Sequence, residues 1–166
     1  MDRERRREIF EAIGLLAIVA SLIFLAVEIN QNTNALFGQS RQSVLEAAQN
    51  ELFVLVEHPE VSLSVVKEGP LTPEENVRLD AYLAATLRAR EYAYLQYRAG
   101  AIDEEQWNAE VAVAKSILNA ERVRLWWSVV GRNNSSPEFA EFVESQIIVE
   151  PVTDGGWHDF VDWSDR

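Results

Sequence analysis

The densest group of side chains that could do chemistry lies between positions 88 and 98. Three tyrosines and three arginines occur there: Tyr92, Tyr94, Tyr97, Arg88, Arg90 and Arg98. Phenols and guanidinium groups together could bind an anionic or aromatic ligand. On a helix Tyr94 and Tyr97 lie on one side, whereas Tyr92 lies on a different side. We favour packing of these rings in a core, with the phenol oxygens at the surface.

Paired carboxylates are the second candidate for chemistry. The pairs are Glu74 with Glu75, Glu104 with Glu105, and Glu141 with Glu144. Such pairs can act as acid and base or hold a metal ion. Here they fall in the first turns of predicted helices or on exposed faces, where a negative charge favours the helix dipole. We interpret them as structural.

Other catalytic signatures are missing from the sequence. The chain has no cysteine, and its two histidines, His58 and His158, lie far apart. Thiolate catalysis, disulfides and cysteine zinc sites are therefore excluded. No phosphate-binding glycine loop, nucleophile elbow or calcium loop occurs. We expect no catalytic, cofactor-binding or metal-binding residues, and a protein that is not an enzyme.

The charge distribution bears on the partners. The net charge is −12, and the excess acid lies after residue 43. Such a surface repels nucleic acid phosphates, so no nucleic acid partner is expected. Anionic lipid headgroups repel it as well, so the distal part of the chain is expected to stand off a bilayer.

One apolar run follows a basic flank of residues 1–8. It extends from Ile9 to Ile29, without a charge between Ala12 and Val27. As a helix it spans about 30 Å, close to the hydrocarbon thickness of a bilayer. It is apolar on all faces, whereas the other predicted helices are amphipathic, which favours a membrane span over a helix buried in a soluble core. It also lacks a plausible signal-peptide cleavage site. We predict a transmembrane helix over residues 9–29, with the lipid bilayer as a partner.

Flanking charge predicts the orientation. Four arginines precede the span, and only Arg41 is basic in the fifteen residues after it. The positive-inside rule then places the N-terminus in the cytoplasm and the rest of the chain on the other side. We expect a single-pass protein of the bacterial inner (cytoplasmic) membrane with a periplasmic domain.

A stripe of residues within the span predicts self-association. Gly14, Ser21 and Glu28 recur every seven residues, with Ala17 and Phe24 between them. Ala17 and Ser21 form a small-xxx-small pair, which lets helices approach closely in lipid. The alternative is that the pattern arose by chance, because small residues are common in transmembrane spans. Glu28 could form a ring at a channel mouth, although marking the end of the span is the simpler interpretation.

The remaining sequence predicts an all-α protein. Helix-compatible residues continue over 30–58 as a stalk, with Gly38 as the weak point, until His58-Pro59 ends the helix. Residues 59–150 show helix starts at Thr72, Asp103 and Ser136, and breaks at Gly100 and Gly131. No segment has strand alternation. We predict a small antiparallel helical bundle.

The last segment, residues 151–166, combines aspartates with Trp157, Phe160 and Trp163. A disordered acidic tail is the default for such composition. Large aromatics spaced three apart favour a short motif that docks onto this domain, onto a sister chain or onto a partner.

Several motifs together resemble a family of short, uncharacterised bacterial proteins. After the span comes the N-T-x-A-L element Asn32–Leu36. Later come LTPEE, YLQYRAGAIDEEQW, the pair Trp126-Trp127, and SPEF at Ser136–Phe139. The resemblance covers most of residues 9–147 and excludes the tail. It implies a membrane-anchored helical domain and brings no activity with it.

Our leading hypothesis is a non-enzymatic, single-span membrane protein that forms homo-oligomers or serves as an accessory or scaffold subunit of a membrane assembly. An oligomeric channel with Glu28 near its mouth is one alternative. A helical domain that binds a small ligand near Tyr92–Arg98 and Trp126-Trp127 is another.

Overall fold

The computed structural model describes residues 3–149 and 151–152, and in this part of the chain it is all-α, without strands. The longest helix, α1, covers Arg3–Glu57. The shorter helices that follow are α2 (Pro59–Val66), α3 (Pro73–Arg98), α4 (Glu104–Ile117), α5 (Glu121–Trp126), α6 (Arg132–Asn134) and α7 (Pro137–Phe142). A π-helical turn, Trp127–Gly131, joins α5 to α6, and another, Val143–Ile147, follows α7. The all-α prediction is confirmed.

The chain divides into two compact units. The first consists of Met1–Gln39, and the second begins at Ser40. The second unit thus includes the last part of α1, where Val44 is buried and Glu51 bonds to Arg90 of α3. The sequence placed residues 30–58 in a separate stalk, whereas the structure groups residues 40–57 with the bundle. The buried Val44, the partly buried Leu55 and the Glu51–Arg90 ion pair explain this grouping, whereas Leu45, Leu52 and Val56 of the same segment stay exposed.

The first unit is helical from Arg3 onward and contains the apolar run. The described part of the chain has one helix long and apolar enough to cross a membrane, and none of its most apolar window is buried. Gly38 does not interrupt α1.

Local signals set the start of α3. The Thr72 hydroxyl accepts a hydrogen bond from the Glu75 amide at 3.2 Å, and the Glu75 carboxylate accepts one from the Thr72 amide at 2.7 Å. This reciprocal capping box, with Pro73 in the first turn, confirms the predicted helix start. The Lys67 ammonium donates to the same carboxylate at 2.7 Å. That hydrogen bond and the one from the Thr72 amide lower the pKa of Glu75 to about 2.

We expect Thr72→Ala to lower the free energy of unfolding by about 1 kcal/mol, because the Glu75 amide loses its acceptor. Urea unfolding of the full chain in detergent, followed by circular dichroism, measures this loss. Thr72→Ser keeps the hydroxyl and should behave as the wild type. The contribution of Glu75 is present above its ordinary pKa of 4.5 and is lost as the pH falls towards 2. An equal loss of unfolding free energy in Thr72→Ala and Thr72→Ser would contradict the role of the Thr72 hydroxyl as a helix cap.

Gly100 and Gly131 have different structural roles. Gly100 ends α3 with a φ of +73°, a conformation that favours glycine, and Asp103 then caps α4 by accepting from the Gln106 amide at 2.9 Å. Gly131 was predicted to end a helix, but the helical path continues through it to Asn134. A Cβ at Gly131 would lie 2.6 Å from the Trp126 ring and 2.7 Å from the Trp127 ring. Gly131 is therefore needed for tryptophan packing, not for a break.

The core of the second unit joins all of its longer helices. Its most deeply buried side chains belong to α3, α5, α7 and the segments that flank them: Phe139, Leu83, Leu118, Val123, Val143 and Thr86. The apolar face of α3, with Leu79, Leu83, Leu87 and Tyr94 at helical spacing, is buried in this core.

Candidate functional site

The tyrosines and arginines of residues 88–98 do not converge on one pocket. Tyr94 is buried, with its ring 5.7 Å from those of Trp107 and Phe139, and its hydroxyl accepts a hydrogen bond from Arg98 at 3.1 Å. Tyr97 stacks on Trp107, with centroids 5.4 Å apart, and Tyr92 is exposed. This arrangement matches the core-packing interpretation, because the rings contact one another.

Arg88 connects α3 to the start of α7. Its guanidinium donates to the buried Glu91 carboxylate and to the Asn134 carbonyl, both at 2.5 Å. Glu91 also accepts a hydrogen bond from the Ser136 amide at 2.7 Å. Ser136 precedes α7 and uses no side-chain cap of its own, so Glu91 stabilises the helix start in its place.

Arg90 forms the centre of a buried charge cluster. Its side chain is only 4% exposed, and it donates two hydrogen bonds to Glu51 of α1, at 3.0 and 2.6 Å. Its Nε lies 3.2 Å from a carboxylate oxygen of Glu110 on α4, as an ion pair without hydrogen-bond geometry. Glu51, Arg90 and Glu110, the buried triad, thus tie three helices together.

The triad has two carboxylates for one guanidinium. Burial raises the pKa of Glu51 and of Glu110, and the charge of Arg90 opposes this effect at both. The charge of Glu110 adds to the rise at Glu51. Burial also raises the pKa of the neighbouring Tyr82 phenol. The second unit therefore contains two carboxyl groups, largely shielded from water, that share one guanidinium.

Sequence reasoning missed the triad, although one signal was available. Arg90 lies on the side of α3 that carries Leu79, Leu83, Leu87 and Tyr94, at a position where an apolar residue is expected. A charged residue on an apolar face requires a buried partner of opposite charge. That signal predicts that Arg90 has a buried acidic partner, but it does not identify which glutamates fill this role.

A cavity of about 510 Å³ opens beside the triad, between the end of α1, α2 and α3. Four alanines, Ala47, Ala81, Ala85 and Ala89, line it together with the polar residues Asn50, Glu51, Tyr82 and Thr86. Its volume is in the range of small-molecule sites, and its lining is mostly apolar.

No known protein family, curated protein or solved structure matches this chain.

The tryptophan pair does not form a ligand cleft. Trp127 is buried, and Trp126 is partly buried with its indole nitrogen donating to the Asp80 carboxylate at 2.7 Å. The Trp127 ring packs inside, and the Trp126 ring covers a helix junction.

The acidic pairs have structural roles. Glu74 and Glu104 lie in first helical turns, and Glu144 forms an ion pair with Arg132 at 2.7 Å. Within residues 3–149 and 151–152, no group of three histidine or carboxylate side chains could hold a metal ion.

The predicted oligomer-interface residues Gly14, Ala17, Ser21, Phe24 and Glu28 are all exposed on α1. The Ser21 hydroxyl donates to the Ala17 carbonyl at 2.8 Å, so it is satisfied within its own helix. The predicted docking residues Trp157, Phe160 and Trp163 lie outside the described residues.

Proposed function

We propose that this protein is a single-span membrane protein that assembles with further copies of itself through α1. Residues 9–29 are long and apolar enough to cross a bilayer. Their basic N-terminal flank favours the cytoplasmic side for the N-terminus and the opposite side for the second unit. The membrane proposed is the bacterial inner membrane.

The observation that carries the self-association proposal is the exposed stripe of the span. Gly14, Ala17, Ser21, Phe24 and Glu28, which we call the α1 seam, are all exposed in the first unit. The second unit, taken by itself, also exposes large apolar side chains near the end of α1: Leu45, Leu52 and Val56 are 57%, 59% and 77% exposed.

Leu45, Leu52 and Val56 fall outside the proposed span of residues 9–29, so the hydrocarbon layer of the bilayer is not what covers them. Large apolar side chains exposed to water at a spacing of seven and four residues are typical of a coiled-coil surface that lacks its partner. A second copy fits this surface because anchored copies share one orientation and present the same residues at the same height.

Substituting the seam residues of the span tests the self-association proposal directly. We expect the triple variant Gly14→Leu, Ala17→Leu, Ser21→Leu to raise the dissociation constant of the oligomer at least about tenfold, because bulky side chains hold the helices apart. A Cβ at Gly14 has nothing within 4 Å in the single chain, so the monomer accepts the change. Native mass spectrometry of the full chain in mild detergent measures the stoichiometry.

A matched control uses alanines on the other side of the same span. Ala12→Leu with Ala26→Leu introduces two leucines, against three in the test variant, on the side of the span away from the seam and should leave the stoichiometry unchanged. Leu52→Ser with Val56→Ser tests the exposed apolar residues of the second unit. A monomeric wild-type chain would refute the proposal. Foreign subunits at fixed stoichiometry would instead make the protein an accessory subunit.

A further inference from the structure

The cavity beside the triad is an open groove between one side of α1 and one side of α3, which we call the alanine groove. Its lining residues on each helix follow helical spacing, and four of them are alanines. Alanine projects little from a helix and leaves between the two helices a volume that larger side chains would fill. Ala81 and Ala85 are exposed, so the groove opens to solvent. A segment with large apolar side chains would fit such a groove.

The charged groups that line the groove already have partners. Both carboxylate oxygens of Glu51 accept hydrogen bonds from Arg90, and the Arg78 guanidinium donates to Glu60. The Nδ1 atom of His58 lies 3.2 Å from the same Glu60 carboxylate. Because these charges are paired, apolar contact rather than charge selects what occupies the groove.

The C-terminal segment of the same chain supplies large apolar side chains. Residues 153–166 lie outside the described residues and contain Trp157, Phe160 and Trp163. At helical spacing these three rings would fall within about 120° of one another, which is one side of a helix. The aspartates of the segment would fall on the remaining side: Asp154, Asp159, Asp162 and Asp165. Amphipathic segments of this kind bind grooves through their apolar side.

The origin of this segment allows it to reach the groove of its own chain. It begins after Val152, shortly beyond Val143 and Ile147, which are buried in the core of the second unit. An extended chain covers about 3.3–3.6 Å per residue, so residues 153–166 can extend up to about 50 Å. A domain of this size has a radius of gyration of about 13 Å, so most of its surface is within reach. A short tether also gives an effective concentration in the millimolar range, which favours the segment over an untethered partner.

We propose that residues 153–166 dock in the alanine groove of the same chain. Trp157, Phe160 and Trp163 contact the alanines of the groove, and the aspartates face solvent. The contact is intramolecular, and it does not depend on self-association through α1.

Cross-linking between two introduced cysteines tests this contact, because the chain has no cysteine of its own. Ala85→Cys places one thiol at an exposed position of the groove, and Ser164→Cys places the other beside Trp163. A short bismaleimide added to the full chain in detergent should join the two thiols within one chain. The reaction should be at least about tenfold faster than with Ser164→Cys and Ala112→Cys, where Ala112 is an exposed alanine of α4 outside the groove. Denaturing gels separate links within a chain from links between chains.

Removing the three rings should abolish the preference for the groove. The variant Trp157→Ser, Phe160→Ser, Trp163→Ser keeps the length and the charge of the segment. In this background Ala85→Cys should react no faster than Ala112→Cys, because the groove no longer has apolar side chains to bind.

Replacing the aspartates is the matched control. Asp154→Asn, Asp159→Asn, Asp162→Asn keeps the rings and should change the rate by less than about twofold, because exposed charges contribute little. A rate that falls with the aspartates and not with the rings would overturn the proposal. Equal rates at Ala85→Cys and Ala112→Cys would do the same. Links formed only between chains would also overturn it, because they would place the segment in the groove of a second copy.

Discussion

Replacing Arg90 with methionine is expected to destabilise the second unit by about 3–5 kcal/mol. Methionine fills much of the same space but leaves Glu51 and Glu110 without their shared cation. Their side chains are only 14% and 11% exposed, so water replaces little of the lost interaction. Three helices lose a common contact at once. Urea unfolding of the full chain, followed by circular dichroism, measures the change.

The loss of unfolding free energy caused by Arg90→Met should depend on pH in a defined direction. Burial already raises the pKa of both glutamates above 4.5, so the folded state binds their protons more tightly than the unfolded state. Their contribution to stability is complete below 4.5 and is lost as the pH rises through the raised folded pKa. Without the charge of Arg90, which lowers both pKa values, that loss becomes larger. Arg90→Met should therefore be closer to wild type at about pH 5 than at about pH 8.

An exposed ion pair supplies the control for this charge effect. Arg132 and Glu144 lie 2.7 Å apart with side chains 54% and 43% exposed. Arg132→Met should cost less than about 1 kcal/mol, because water solvates both groups when the pair is broken. If Arg90→Met and Arg132→Met lose the same stability, or if the Arg90→Met deficit grows on acidification, the account of the triad is wrong.

Phe139→Ala is the second substitution with a large expected effect, about 3–5 kcal/mol of unfolding free energy. Phe139 is 1% exposed, and its ring lies 5.7 Å from Tyr94 and 6.4 Å from Phe142. Removing it leaves a cavity between α3 and α7 that neighbouring rings cannot fill without leaving their packed positions. The contacts of Tyr94 are lost together with the buried area.

Chemical denaturation and near-ultraviolet circular dichroism measure this second prediction, because the latter reports the fixed packing of Tyr94 and Trp107. The control is Phe53→Ala, which removes the same side chain from a position 63% exposed on α1, outside the α1 seam. It should change stability by no more than about 0.5 kcal/mol. Similar losses in the two variants would mean that Phe139 does not contribute as a core residue.

Features set by a few neighbouring residues were predictable. The start of α3 depends on Thr72, Pro73 and Glu75, and the start of α4 on Asp103. Each cap bonds to an amide three residues away, so the local sequence contains both partners. The apolar face of α3 was predictable for the same reason, because the helical period places its residues on one side.

Gly131 shows where local rules failed. Glycine within a helical pattern was interpreted as a break, but the missing side chain makes room for the rings of Trp126 and Trp127. Both uses of glycine look alike in a sequence, since only the neighbouring rings in space distinguish them.

The sequence by itself determined that the chain is all-α, where α3 and α4 begin, and that one segment is apolar enough to cross a membrane. Only the tertiary structure decided that Arg90 meets Glu51, 39 residues earlier, and Glu110 on another helix. It also decided that small residues of α1 and α3 line an open cavity beside these charges. Turns and caps depend on interactions within one turn of the chain, whereas charge clusters and cavities depend on which helix faces pack together.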